Sequence, residues 1–158
     1  MTEPAATPTT LRLGGCRCGR VRFEVTAAPL LTMACHCTGC QRMSASAFSL
    51  SALFPAAAFR VTTGAPVIGG MHDPAIRHHH CDFCKSWLYT IPAGLEAFVN
   101  VRTTMLDDAA DLAPFMETMT DEKLPWATTP AVVSYARFPG AEEWAAVMGR
   151  YGAATGSR

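Results

Sequence analysis

A mainly β fold is predicted for this chain by three observations: short runs in which apolar and polar residues alternate, turn-forming residues between most of those runs, and little helical periodicity. In "VRFEV" (21–25), Val21, Phe23 and Val25 face one way and Arg22 and Glu24 the other, as a strand with one buried side requires. Similar strand signals follow at "AFSLSALF", "AIRHHH", "WLYTI" and "AFVNV". The Gly, Pro, Asn or Asp between most of them favours turns and an all-β layout over alternating βαβ units. Helix is expected in one or two turns following Cys40. It is also expected in "AEEWAAVMGRY", where Trp144, Val147, Met148 and Tyr151 share one helical face. The adjacent Asp107 and Asp108 in "LDD" read as a helix cap, and Trp87 and Trp126 as core packing or a cover for a site.

The 158 residues suit one ordinary domain, with no internal repeat or linker. Residues 1–10, "MTEPAATPTT", lack any hydrophobic period and read as a flexible tail. Basic and acidic residues balance at thirteen each, so no general field draws the chain to nucleic acid or to an anionic membrane. No run approaches the ~18 apolar residues of a membrane helix, and the start has no secretory pattern. A cytoplasmic protein with small-molecule partners is therefore expected; nothing in the residues indicates its oligomeric state.

All seven cysteines fall into three groups: "CRC" (Cys16, Cys18), "CHCTGC" (Cys35, Cys37, Cys40) and "CDFC" (Cys81, Cys84). In a reducing compartment, CxC and CxxC spacings point to metal before disulfides. Two divisions are possible. Either Cys16, Cys18, Cys81 and Cys84 close a four-sulfur site and the hexapeptide forms a three-sulfur one, or "CRC" joins the hexapeptide and a histidine completes a set. Local chelation favours the first. His36, His72, His78, His79 and His80 are the histidines that could supply a further ligand.

"GGCRCGRVRFEV", "CHCTGCQRMSASAF", "HCDFCKSWLY", "TTMLDD" and "LPW" together resemble the glutathione-dependent formaldehyde-activating (centromere-protein-V-like) family, from about Gly14 to Phe138. The resemblance implies an Mss4-like zinc-binding β fold over residues 11–140, followed by a C-terminal segment, 141–158, with helical character. It implies two Zn2+ per chain: a structural ion on Cys16, Cys18, Cys81 and Cys84, and a second on Cys35, Cys37 and Cys40 with its fourth position open. The implied activity is that of a carbon-sulfur lyase acting on a thiol-aldehyde adduct such as S-hydroxymethylglutathione, with glutathione and formaldehyde as partners. A different thiol or aldehyde at the same ion is a second reading, and a non-catalytic zinc module a third. Glutathione carries two carboxylates, for which Arg42 is the nearest cationic donor in sequence, with Gln41, Ser44 and Ser46 as uncharged donors. Arg77 and Lys85, which flank the second CxxC, are weaker candidates. The chain departs from the family pattern at Lys85 and Ala45, where Gly is usual, and at Thr103 and Thr104, in a stretch that is usually Gly-Thr.

Overall fold

The computed structural model describes residues 10–156, so the tail read over residues 1–10 lies, apart from Thr10, outside the described residues. Eleven strands and two helices follow one another. They are β1 (Arg12–Gly15), β2 (Arg22–Val25), β3 (Leu31–Cys35), α1 (Thr38–Ser44), β4 (Ser49–Pro55), β5 (Phe59–Thr63) and β6 (Val67–Gly69), then β7 (Ile76–His80), β8 (Trp87–Pro92), β9 (Phe98–Arg102), β10 (Met116–Thr118), β11 (Val133–Ser134) and α2 (Ala141–Thr155). The mainly β expectation holds. One sheet has the order β1-β2-β5 and the other β11-β10-β3-β4-β9-β8-β7-β6.

Phe23 and Val25 of β2 meet Ala52 and Phe54 of β4, Leu88 of β8, and Val99 and Val101 of β9 in a core shared by the two sheets. A second, smaller core lies under α2, where Val147 and Tyr151 pack against Leu31, Met33 and Met116, with Trp144 and Met148 at its margin. The stripe read from "AEEWAAVMGRY" is thus a packing face. It buries apolar surface worth roughly 2 kcal/mol per large side chain.

The pairing register places the site. Residues directly opposite in an antiparallel ladder share a face, and β3 pairs with β4 as Leu31 with Leu53, Met33 with Ser51 and Cys35 with Ser49. Ser51 of β4 in turn faces Arg102 of β9. One face of the large sheet therefore carries the α2 core at one end, through Leu31 and Met33, and Cys35, Ser49 and Arg102 at the other.

Three expectations are corrected. Helix α1 starts at Thr38, so Cys40 lies within it rather than ahead of it. The Cys37 side chain caps it by accepting from the Cys40 amide, which draws the helix back onto the ligand run. Asp107 and Asp108 cap no helix: Asp107 pairs with Arg22 across to β2, and Asp108 accepts from the Ala110 amide at 3.5 Å. Trp126 is 72% exposed, whereas Trp87 is buried.

Two departures from the family pattern acquire a backbone reason. Ala45, at the C-terminal cap of α1, has φ 49°, and Lys85 has φ 59°. Both occupy the left-handed region, where a Cβ costs roughly 1–2 kcal/mol and glycine costs nothing sterically. Ala45→Gly should raise stability by about 0.5–1 kcal/mol, the strain relieved less the added freedom of the unfolded chain. A higher midpoint in urea unfolding is the expected result; an unchanged or lower one contradicts the strain.

Candidate metal centres and the cleft between them

Cys16 and Cys18 sit in the turn that leaves β1, closed by the Cys16 amide donating to Val21 O at 3.0 Å and the Gly19 amide to Cys16 O at 3.1 Å. Cys81 and Cys84 sit in the turn from β7 to β8, closed by the Lys85 amide on Cys81 O at 3.0 Å. The Arg17 amide donates to the Ser86 hydroxyl at 3.2 Å, tying one turn to the other. The four sulfurs lie within 4.8 Å of one another, with Cys16 Sγ to Cys18 Sγ at 3.4 Å and Cys18 Sγ to Cys81 Sγ at 3.7 Å. Sulfurs held ~2.3 Å from one tetrahedral ion stand about 3.8 Å apart, so this set fits zinc-like coordination, and no pair is near disulfide length.

The second set gathers Cys35 at the end of β3, Cys37 at the cap of α1 and Cys40 within α1, again with their sulfurs inside 4.8 Å. Among the described residues no histidine or carboxylate joins either set. His36, although flanked by ligand cysteines, turns the other way: it is fully buried and its Nε2 lies 2.9 Å from Glu117 Oε2. His78 pairs with Thr90 at 2.9 Å, His79 stacks on Tyr89 at 4.4 Å, and His80 lies parallel to Trp87 at 6.2 Å. Burial, followed by the Arg102 charge, pushes His78 down to about 4, so it is neutral at pH 7.

The thiols titrate as groups rather than singly. A hydrogen bond from Cys40, followed by the Cys37 amide and the Thr118 side chain, outweighs burial and lowers Cys35 to about 5. The same interaction with Cys35, reinforced by burial, drives Cys40 upward. In the other set the Ser86 hydroxyl holds Cys84 at about 5. Each set thus holds negative charge and resists adding more, which suits a cation able to ionise every sulfur.

A cleft of about 340 Å³, lined by residues that follow each set in sequence though by none of the cysteines, lies within the size range of small-molecule sites. Ser44, Ser46 and Ser49 line the side nearest Cys40, and Lys85, Ser86 and Trp87 the side nearest Cys84, with Arg102 also in the lining. Of the residues read from sequence as substrate contacts, Ser44 and Ser46 are therefore in the cleft, whereas Arg42 is exposed on α1 and outside its lining. The Gln41 amide donates to His36 O at 2.7 Å and to Glu122 O at 3.0 Å, bracing the ligand loop. Arg77 is paired with Glu96 at 2.9 Å.

Two groups escaped the sequence reading. Arg102 is 7% exposed, donates to Ser49 Oγ at 3.3 Å and Asn100 O at 3.4 Å, and stacks 4.1 Å over Trp87. Burial lowers it to about 10, against the opposing pull of Cys40 and Cys35. Glu117 on β10 accepts from His36, Thr129 at 2.8 Å, Ser134 at 2.8 Å and Lys123 at 3.0 Å. The only sign of either in the sequence is a charge beside a strongly apolar run.

Burial works to raise Glu117, but the Lys123, Ser134, Thr129 and His36 bonds prevail and bring it to about 2. A carboxylate depressed in the folded state stabilises above its unfolded pKa, here 4.5, and loses that contribution as pH falls toward 2. The shift corresponds to about 3 kcal/mol. Glu117→Gln should cost about that much at pH 7, with the gap to the parent closing between pH 4.5 and 2. A gap independent of pH over that window in urea titrations would contradict the assignment.

A mainly β scaffold with two cysteine sets disposed for metal ions, one of four sulfurs and one of three, has the layout of a zinc-binding β protein. The chain matches the glutathione-dependent formaldehyde-activating enzyme family over residues 11–122 and belongs to it. The crystal structure of a Rhodobacter sphaeroides protein shares the fold, with a TM-score of 0.54 and 22% identity over 67% of this chain and 99% of that one. No curated protein sequence matches the chain.

Proposed function

We propose that this chain is a zinc-dependent carbon-sulfur lyase-type enzyme that makes or breaks the bond between a thiol sulfur and an aldehyde carbon, with S-hydroxymethylglutathione as the adduct. Membership of a family associated with glutathione-dependent formaldehyde activation supports that chemistry. The observation that carries it is the three-sulfur set, which has no further His, Cys, Asp or Glu donor among the described residues and whose neighbours Ser44 and Ser49 line a cleft. Cys16, Cys18, Cys81 and Cys84 would hold the structural zinc, and Cys35, Cys37 and Cys40 the second. When bound there, zinc ionises a coordinated thiol at neutral pH and leaves the sulfur electron-rich.

In the forward direction a sulfur lone pair forms the bond to the formaldehyde carbon, the carbonyl π electrons move to oxygen, and the oxygen takes up a proton. The reverse reaction breaks the same bond. Ser46 offers its hydroxyl to the peptide groups of the thiol, while Ser44 Oγ, which already donates to Cys40 O at 2.7 Å, can only accept. Lys85, whose existing pair with Asp82 at 3.0 Å is exposed and weak, offers its ammonium to a carboxylate. Residues 11–140 form the unit that carries these groups, with 141–158 as its C-terminal extension. Seven free thiols suit a reducing, cytoplasmic setting, and among the described residues no helix is long and apolar enough to cross a membrane.

Cobalt in place of zinc reports sulfur ligation through its charge-transfer absorption. Glutathione should intensify that band, and its apparent affinity should rise about tenfold per pH unit from pH 6 to 8, because the thiol must lose a proton to bind. An unchanged spectrum at saturating glutathione, with adduct formation no faster than in buffer, would leave a non-catalytic zinc module as the reading.

A further inference from the structure

Arg102 is the described buried charge that lacks a partner of opposite sign in any side-chain ion pair. Burying a guanidinium without such a partner costs several kcal/mol, and the groups that touch it do not offset this. Ser49 and Asn100 are neutral, the Trp87 ring face contributes only about 1–2 kcal/mol, and Nε has no acceptor at all. The negative charge must come from elsewhere.

The sheet register shows where. Cys35 stands opposite Ser49, and Arg102 opposite Ser51, two residues further along β4. Ser49 accepts from Arg102 Nη1 at 3.3 Å, which leaves its single hydroxyl hydrogen free to turn toward the ligand run that begins at Cys35, directly opposite. Three thiolates around one dication carry a formal charge of −1, and a fourth thiolate makes it −2. Arg102 reaches Ser49, opposite Cys35, and so brings a positive charge to that side of the set in a poorly solvated site, where charge interactions exceed their strength in water.

We infer that Arg102 is the counter-cation of the three-sulfur centre, held beside it through Ser49, which stands opposite Cys35. The inference rests on the reading that these sulfurs hold zinc. Arg102 is a positioning residue: it sets the charge and orientation of the ligand sulfurs. The carboxylates of the substrate go to other groups of the cleft.

The test uses the two-zinc protein, first without any thiol. Competition with a chromophoric chelator should show one of the two ions held ~10–100-fold more weakly in Arg102→Met. Arg102→Lys, which keeps the charge, should stay within about threefold of the parent, Ser49→Ala should fall between, and the ion of the four-sulfur set should be unaffected throughout. In the cobalt protein, Arg102→Met should weaken glutathione and 2-mercaptoethanol, which has no carboxylate, by the same factor. Unchanged zinc retention in Arg102→Met overturns the inference, as does a loss confined to glutathione, which would make Arg102 a carboxylate receptor. If Arg102→Met does not fold, Ser49→Ala decides, and parent-like zinc retention there overturns it. A parent cobalt centre that binds neither thiol defeats the open-site reading, while the chelator measurement still decides the role of Arg102.

Discussion

Cys81→Ser should leave the chain unfolded or poorly expressed at 37 °C, with neither helical nor β signal surviving chelator. Cys18 and Cys81 are 63 residues apart in sequence yet their sulfurs lie 3.7 Å from each other, so an ion there closes a long loop. By the chain-entropy argument used for cross-links, closing a loop of that length is worth on the order of 4 kcal/mol. Metal binding to four thiolates contributes further, against a total stability of only about 5–15 kcal/mol for a domain. Cys16 and Cys81 are themselves buried in the core with Phe23 and Leu88, so loosening the set also loosens core packing. Two retained zinc ions and a parent-like melting curve for Cys81→Ser would remove the four-sulfur site from the account.

Cys40→Ser should behave in the opposite way. Its three sulfurs come from residues 35 to 40, so metal there closes no distant loop and contributes little to the entropy of folding. The variant should hold one zinc where the parent holds two and melt within a few degrees of it. Turnover of S-hydroxymethylglutathione should fall by on the order of 10³-fold, the several kcal/mol a catalytic metal supplies. Metal counts by atomic absorption and calorimetry on the same sample separate the two effects. A collapse as severe as that of Cys81→Ser would make the second ion structural and deprive the lyase reading of its main support.

The strands that the residues announced did so in two ways: β8, buried from Trp87 to Thr90, through its aromatic and β-branched residues, and β2 through its alternation. β2 alternates because Phe23 and Val25 enter the core while Arg22 and Glu24 do not. β3 gave no such signal, since four of its five residues are buried and a strand covered on both sides loses its period. β10 and β11 are only three and two residues long and pair in parallel with distant partners, β10 with β3 and β11 with β10. Neither length nor local pattern could reveal them. The capping sulfur of Cys37 shifted α1 by a few residues for a related reason: a cysteine at a helix start was read as a ligand before it was read as a cap.

The joining of "CRC" to "CDFC", 63 residues on, was implied by the family resemblance and brought about by the fold, whereas the three-sulfur set could be read from spacing because chelation within "CHCTGC" is a property of a few consecutive residues. The mainly β class and the packing face of α2 were legible in the same way, from periods two and 3.6. Tertiary structure alone decided that His36 turns to Glu117 and away from the ligand sulfurs, that Arg42 stays outside the cleft, and that Arg102 takes its place in the cleft wall. Those outcomes depend on which strands pair and in what register. A charge is placed by its neighbours across the sheet, and those neighbours are 53 residues away from Arg102 at Ser49 and 81 residues away from His36 at Glu117.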